Sequence, residues 1–272
     1  MIKNKSSTTA LAVTLIRASS KIDSVAHIFL PQPFKFLSHF SFFKNFLEKK
    51  MPQNTYQNII NRTKFIDKII KENNFDQIVI LGAGFDSRFI RFYNPKTKFF
   101  EIDIKETQQN KISLIKKSKY KINENIFFIP LNLNHGDIKI KLIKKSFNPT
   151  KKTLFILEGL TMYLSKLAID RLFKSIIKIS ASNNEIVFDF IHQKIVKNKQ
   201  SEAVKTVSSL GEKWTFGIDN LSSFLQKYHL KLITHEQLSN GEIIPSPKFE
   251  QRTIDAVRTY YCSQYSRTLI SF

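Results

Sequence analysis

Three acidic residues and one glycine turn carry the chemistry in this sequence. The turn is Leu81-Gly-Ala-Gly-Phe-Asp-Ser-Arg88. Gly82 and Gly84, with only Ala83 between them, let the backbone reverse sharply and come close to a ligand. Asp103 follows about 20 residues later, a spacing that suits a carboxylate accepting hydrogen bonds from both hydroxyls of a ribose. Its plainer role would be to cap a helix starting near Lys105. The third acid is Glu158 in Leu157-Glu-Gly159, at the end of an apolar run. A carboxylate so close to a core needs a partner. A ligand is the favoured reading, a salt bridge to a lysine the alternative.

A dinucleotide and a sulfonium compound would both use such a turn and such an acid. The dinucleotide fingerprint asks for a third glycine or alanine where this chain has Ser87. Asp86 would also set a carboxylate where a pyrophosphate has to lie, which is repulsive. S-adenosylmethionine has no phosphate and carries a positive sulfur, so an acidic pocket suits it. An NAD-dependent oxidoreductase is disfavoured on these grounds. His192, just past the run Glu185 to Phe190, and Tyr163, just past Thr153 to Leu157, stand where a general base could sit.

These residues need a scaffold, and the hydrophobic pattern supplies one. From Gln77 onward, short apolar runs alternate with amphipathic helices, the pattern of a parallel sheet with crossover helices. The runs are Gln77–Leu81, Lys98–Ile102, Ile126–Pro130, Thr153–Leu157 and Glu185–Phe190. Lys231–Gln237 and Ser266–Phe272 read as closing strands, making seven in a doubly wound, mostly parallel, Rossmann-like α/β sheet. Helices are predicted after the second strand through about Lys119, and from Leu167 to Ile179. Asp219 is placed as the cap of a helix running to Tyr228. Residues 1–75 read as a helical N-terminal cap within the same domain, broken by Pro31, Pro33 and Pro52, with Asn58 to Lys71 as its last helix. Residues 76–272 form the core, with a lid insertion near 191–215. The glycine turn, Asp103 and Glu158 all fall at carboxyl ends of strands, where open α/β sheets bind ligands.

Composition sets outer bounds. The formal charge is +21, which invites a nucleic-acid partner. The excess is mostly lysine spread along the chain, however, and runs such as Lys116-Lys117 and Lys144-Lys145 fit solvated helix exteriors. Nucleic acid is therefore a secondary expectation. The single cysteine, Cys262, excludes an internal disulfide and a cysteine zinc cluster, and fits a cytoplasmic protein with no metal site. No apolar run has the length of a membrane span, so no membrane partner is expected. Lys3 and Lys5 before Ala10-Leu-Ala-Val13 imitate a signal peptide, but Thr14 and Arg17 interrupt the run, which reads as a helix of the folded protein.

The chain resembles the leucine carboxyl methyltransferases and their bacterial relatives often labelled polyketide O-methyltransferases. The resemblance rests on Ser7-Thr-Thr-Ala10, Arg17-Ala18, Arg62-Thr63 and the glycine motif. It continues through Phe100-Glu-Ile-Asp103, Leu131-Asn-Leu133, Leu157-Glu-Gly-Leu-Thr-Met-Tyr-Leu164 and Phe216-Gly-Ile218. It implies a class I methyltransferase that binds S-adenosylmethionine and methylates an oxygen of a small molecule or of a protein C-terminus. By that resemblance Arg62 pairs with the carboxylate of the methionine moiety. Gly82, Ala83, Gly84 and Asp86 lie against the cofactor, and Asp103, followed by Ile104, holds the ribose. Asn132 and Leu133 border the adenine, and Glu158 sits near the methionine end. The family commonly has aspartate where this chain has Asn132, whose amide oxygen can still accept a hydrogen bond. An RNA-modifying methyltransferase and a catalytically silent S-adenosylmethionine-binding protein remain as alternatives.

Overall fold

Strict alternation along the strands assigns each side chain to one of two helix layers. In the computed structural model, which describes residues 8–51, 55–179, 184–239, 242–244 and 258–264, five parallel strands form the centre. They are β1 (Gln77–Leu81), β2 (Lys98–Asp103), β3 (Ile126–Pro130), β4 (Thr153–Leu157) and β5 (Glu185–Phe190). Val79, Leu81, Phe100, Ile102, Phe155, Leu157 and Phe188 point to one face. Ile78, Ile80, Phe99, Leu154, Ile156 and Val187 point to the other. Both faces are covered, which is why these strands are apolar runs rather than alternating ones.

The first face packs on α7 (Ile138–Ile143), α8 (Lys166–Ile179) and α11 (Leu221–Lys227). The second packs on α4 (Thr55–Glu72), α6 (Lys105–Lys116) and a 3₁₀ turn, Ala26–Phe29. Ahead of α4 come α1 (Thr8–Ser19), α2 (Gln32–Leu37) and α3 (Ser41–Lys50). Ile16, Phe43, Leu47, Tyr56 and Ile60 join α1, α3 and α4 in a small core of their own. A four-residue helix, α5 (Arg88–Arg91), follows the glycine turn.

The strand order is β3-β2-β1-β4-β5, then β8 (Arg258–Gln264), β6 (Leu230–Ser239) and β7 (Glu242–Ile244), the last three antiparallel. The direction of strand placement reverses between β1 and β4, and the crevice above that point is where this class of sheet binds ligands. The described sheet has eight strands instead of the seven expected, because β7 adds a short antiparallel strand beside β6. Ser266–Phe272 lies outside the described residues. The strand that pairs with β5 is β8, a segment whose polar pattern gave no strand signal.

One local expectation is corrected. The cap of α11 is Asn220, whose side chain accepts from the Ser223 N–H at 2.9 Å, while Asp219 faces His192. Residues 191–215 contain two helices, α9 (Gln193–Lys197) and α10 (Glu202–Ser209). Lys116, Lys117, Lys144 and Lys145 are exposed, as solvated helix ends should be.

Candidate functional site

The glycine turn is tied to the next strand before any ligand arrives. The N–H groups of Gly82 and Ala83 both donate to the Ile102 carbonyl, at 2.8 and 3.1 Å. Gly82 and Gly84 have φ of +66° and +45°, left-handed backbone that residues with a Cβ avoid. Asp103 completes the clasp: Oδ2 accepts from the Gly84 N–H at 2.7 Å and Oδ1 from the Ile104 N–H at 2.7 Å. Burial raises the Asp103 pKa, and those two backbone donors oppose the rise. Asp103 does not cap α6, whose N-cap is Ile104 with no side-chain cap bond.

Beneath this turn lies a buried ionic network. Glu158 Oε1 accepts from Arg17 Nη2 at 2.5 Å and Arg62 Nε at 3.0 Å, and Oε2 from Arg88 Nη1 at 2.6 Å. Arg62 Nη1 also donates to Asp189 Oδ2 at 2.5 Å. Arg88 reaches Asp86 at 2.5 Å and Asp67 at 2.8 Å, and Arg91 joins Asp67 and Asp23. Burial disfavours the charged form of Glu158, but Arg17, Arg88 and Arg62 outweigh it and hold its pKa well below the ordinary value. Burial likewise opposes charge on Asp86, and Arg88 with Arg17 overcomes it.

The network revises two sequence arguments. Glu158 has its partner, but the partner is three guanidinium groups and no lysine. Asp86 is not a bare carboxylate set against a ligand, because its charge is matched by Arg88 and it accepts the Arg88 N–H at 2.7 Å. Ser87, in the position of a third glycine, is fully buried and donates to Asp23 Oδ2 at 2.5 Å.

Above the turn a cavity of about 1150 Å³ opens between the sheet edge and the helices. Arg62, Gly82, Ala83, Gly84, Asp86, Asp103, Glu158 and Tyr163 all line it. Its opposite wall comes from α1, the start of α4 and the stretch from Ile191 to Trp214. The charged lining residues are Asp86, Asp103, Glu158, Glu202 and Glu212 against Arg17, Arg62 and Lys213. Acids therefore outnumber bases in the lining of a chain of +21, although Glu158 and Asp86 are already matched by arginines.

Ile104, Asn132, Leu133 and His192 are not lining residues of this cavity. Leu133 is buried in the core under α7. Asn132 Oδ1 accepts from the Asn134 N–H at 2.9 Å, closing a turn past β3. His192 caps α9, its Nδ1 accepting from the Lys194 N–H at 3.1 Å and lying 3.3 Å from Asp219. Of the two base candidates only Tyr163 reaches the cavity. Burial raises its pKa, which keeps the phenol protonated at neutral pH. Its hydroxyl faces Trp214 and Thr9, yet Trp214 Nε1 and Thr9 Oγ1 are buried with no well-formed hydrogen bond, as is Asn58 Oδ1 nearby. Among the described residues no cluster of His, Cys, Asp or Glu could hold a metal ion.

The model of the leucine carboxyl methyltransferase family matches residues 10–177, which run from α1 through the glycine turn and Glu158 into α8. The chain belongs to the leucine carboxyl methyltransferase family. Among similar proteins, a Frankia alni protein named as an S-adenosyl-L-methionine-dependent methyltransferase is 30% identical over 132 residues, 47% of this chain and 46% of its own length. A Mycobacterium avium protein with the same designation is 32% identical over 134 residues, 48% of this chain and 44% of its own. The chain thus matches about half the length of these curated relatives. A solved Thermobifida fusca structure described as a methyltransferase superposes with a TM-score of 0.59 at 13% identity, over 97% of both chains. At that identity the likeness establishes the shared fold.

Within this leucine carboxyl methyltransferase family member, sequence reasoning missed Asp189, Asp67 and Asp23, and gave Arg17, Arg88 and Arg91 no role. A signal existed for Asp189, an acid inside the otherwise apolar run Ile186–Phe190. The others sit on amphipathic helices and turns, where an acid or arginine looks like ordinary surface.

Proposed function

We propose that this protein binds S-adenosylmethionine in the described cavity and transfers its methyl group to an oxygen of an acceptor held against α1, α4 and the 191–214 stretch. The observation that carries the reading is Asp103: it grips the Gly84 N–H of a left-handed glycine turn, at the switch point, inside a cavity lined by more acids than bases. The donor set fits the cofactor. Asp103 offers acceptor oxygens to ribose hydroxyls, and Gly82, Ala83 and Gly84 allow close approach. Arg62, with Arg17 beside it, offers guanidinium donors to the methionine carboxylate. Glu158 serves this reading indirectly, by fixing the arginines. Asn132, Leu133 and Ile104 would border the adenine from beyond the cavity wall.

When bound, S-adenosylmethionine supplies an electrophilic methyl carbon and a sulfur leaving group that takes the bonding electron pair. The residues around it position the acceptor oxygen in line and exclude water. Tyr163 stays protonated and is suited to donate a hydrogen bond, and His192 is turned toward Asp219. Neither supplies a base, which favours an acceptor already ionised at neutral pH: a carboxylate. The Tyr163 hydroxyl, which lines the cavity and faces Thr9 and Trp214, would donate to one of its oxygens.

An RNA substrate would call for lysine and arginine around the site, and the cavity's lining has the reverse balance. Calorimetry with S-adenosylmethionine and with NAD tests the proposal. S-adenosylmethionine alone should bind, and Asp103→Ala should weaken it by about 100-fold, the loss of two hydrogen bonds to a charged acceptor. Uptake of NAD in preference to the sulfonium compound would refute the reading.

A further inference from the structure

The sequence between Pro31 and Met51 leaves most of its aromatic surface in solvent. None of the six residues of α2 is buried, although three are Phe34, Phe36 and Leu37. In α3 only Phe43 and Leu47 turn inward. Phe34 is 44% exposed, Phe36 65%, Phe40 40%, Phe42 63% and Phe46 52%. The rings are not scattered: Phe36, Phe40 and Phe42 touch in series, with centroids 5.0 and 5.6 Å apart. Phe34, Phe43 and Phe46 form a second series at 6.5 and 6.2 Å. Of the other large exposed apolar residues among those described, Tyr93, Leu167 and Ile233 stand singly, and Ile140 and Ile143 make only a pair on α7. A contiguous patch of this kind marks a contact surface.

Its charge says with what. Lys35, Lys44, Lys49 and Lys50 are interleaved with the rings, and Glu48 is the one acid between Pro31 and Met51. Exposed phenylalanines interleaved along the chain with lysines are the composition of a surface that lies in the headgroup region of an anionic bilayer. A second copy of this chain is a poor occupant, since it would bring +21 against +21. We infer that α2 and α3 form a peripheral docking surface for membranes rich in anionic phospholipid. This differs from spanning: among the described residues no helix is long and apolar enough to cross a bilayer. The surface is backed by Phe43 and Leu47, which pack on Ile16 and Ile60. Met51, directly after α3, and Ile16 both line the cavity, so the docked face stands one layer from the site.

Sedimentation of the full chain with phosphatidylglycerol-rich vesicles tests this without reference to methyl transfer. The protein should pellet with them at low salt and remain in solution with pure phosphatidylcholine. A variant carrying Phe36→Ser, Phe42→Ser and Phe46→Ser keeps every charge and alters only exposed positions. Its thermal melt should match the parent, and its vesicle partition should fall at least about tenfold. Three results would overturn the inference. The parent could fail to pellet with the anionic vesicles. The triple variant could pellet as well as the parent, which would assign binding to diffuse charge. Light scattering could show a parent dimer that the triple variant dissolves, which would make the patch a protein interface.

Discussion

Arg62 Nη1 and Asp189 Oδ2 lie 2.5 Å apart, joining α4 to the end of β5 across the cavity floor. The other Asp189 oxygen accepts from the Gly159 N–H at 2.6 Å. One buried aspartate therefore sets both the aim of Arg62 and the backbone turn after β4. A built-in Cβ at Gly159 would come within 3.3 Å of Arg62 Nη2, so turn and guanidinium are packed against each other as well as bonded.

Asp189→Asn can still accept from Gly159, but it leaves Arg62 with Glu158 as its remaining ion-pair partner. Breaking a buried pair from one side costs about 3 kcal/mol. Urea denaturation should show that loss, and calorimetry should show S-adenosylmethionine binding weakened by roughly tenfold. An unchanged midpoint with unchanged affinity would mean that Glu158 alone positions Arg62.

Glu101 and Lys111 form a fully buried ion pair at 2.6 Å under the sheet. Burial raises the Glu101 pKa to about 7, with Lys111 opposing. An acid whose folded pKa is raised binds its proton more tightly in the folded state. Its contribution is therefore full below the unfolded value near 4.5 and is lost as pH rises toward 7. The stability of the parent minus that of Glu101→Gln should fall by about 3 kcal/mol across this window. Equilibrium unfolding at several pH values measures it, and a flat difference would contradict the pKa direction.

Gly217 has no special φ, but a Cβ there would meet the Gln193 backbone at 2.7 Å and the Ile191 carbonyl at 2.9 Å. Backbone cannot swing aside as a side-chain tip can. Gly217→Ala should cost about 2 kcal/mol and lower Tm by roughly 5 °C, read by calorimetric melting. It should also loosen the bond from the Gly217 N–H to Gln193 Oε1, now 2.8 Å. A melt equal to the parent's would show that the 191–217 stretch shifts freely.

Much of this molecule was legible because its sheet is buried on both faces. Strands such as Gln77–Leu81 and Thr153–Leu157 must then be unbroken apolar runs, and their limits in the sequence and in the fold coincide. Glycine 82, glycine 84 and Asp103 were legible for a related reason: a left-handed turn and a carboxylate at a strand end leave a local mark.

The sequence by itself determined the α/β class, the five parallel strands and the carboxyl edge that carries Gly82, Gly84, Asp103 and Glu158. Tertiary structure alone decided the partners. Glu158 meets Arg17, Arg62 and Arg88, residues 141, 96 and 70 positions away in the chain, and no periodicity encodes a contact over such separations. It also turned His192 toward Asp219, placed β8 beside β5, and left Phe34, Phe36, Phe42 and Phe46 of α2 and α3 exposed. The reason is physical: hydrophobic pattern reports burial through local repeats, whereas the pairing of charges depends on which elements the completed fold brings together.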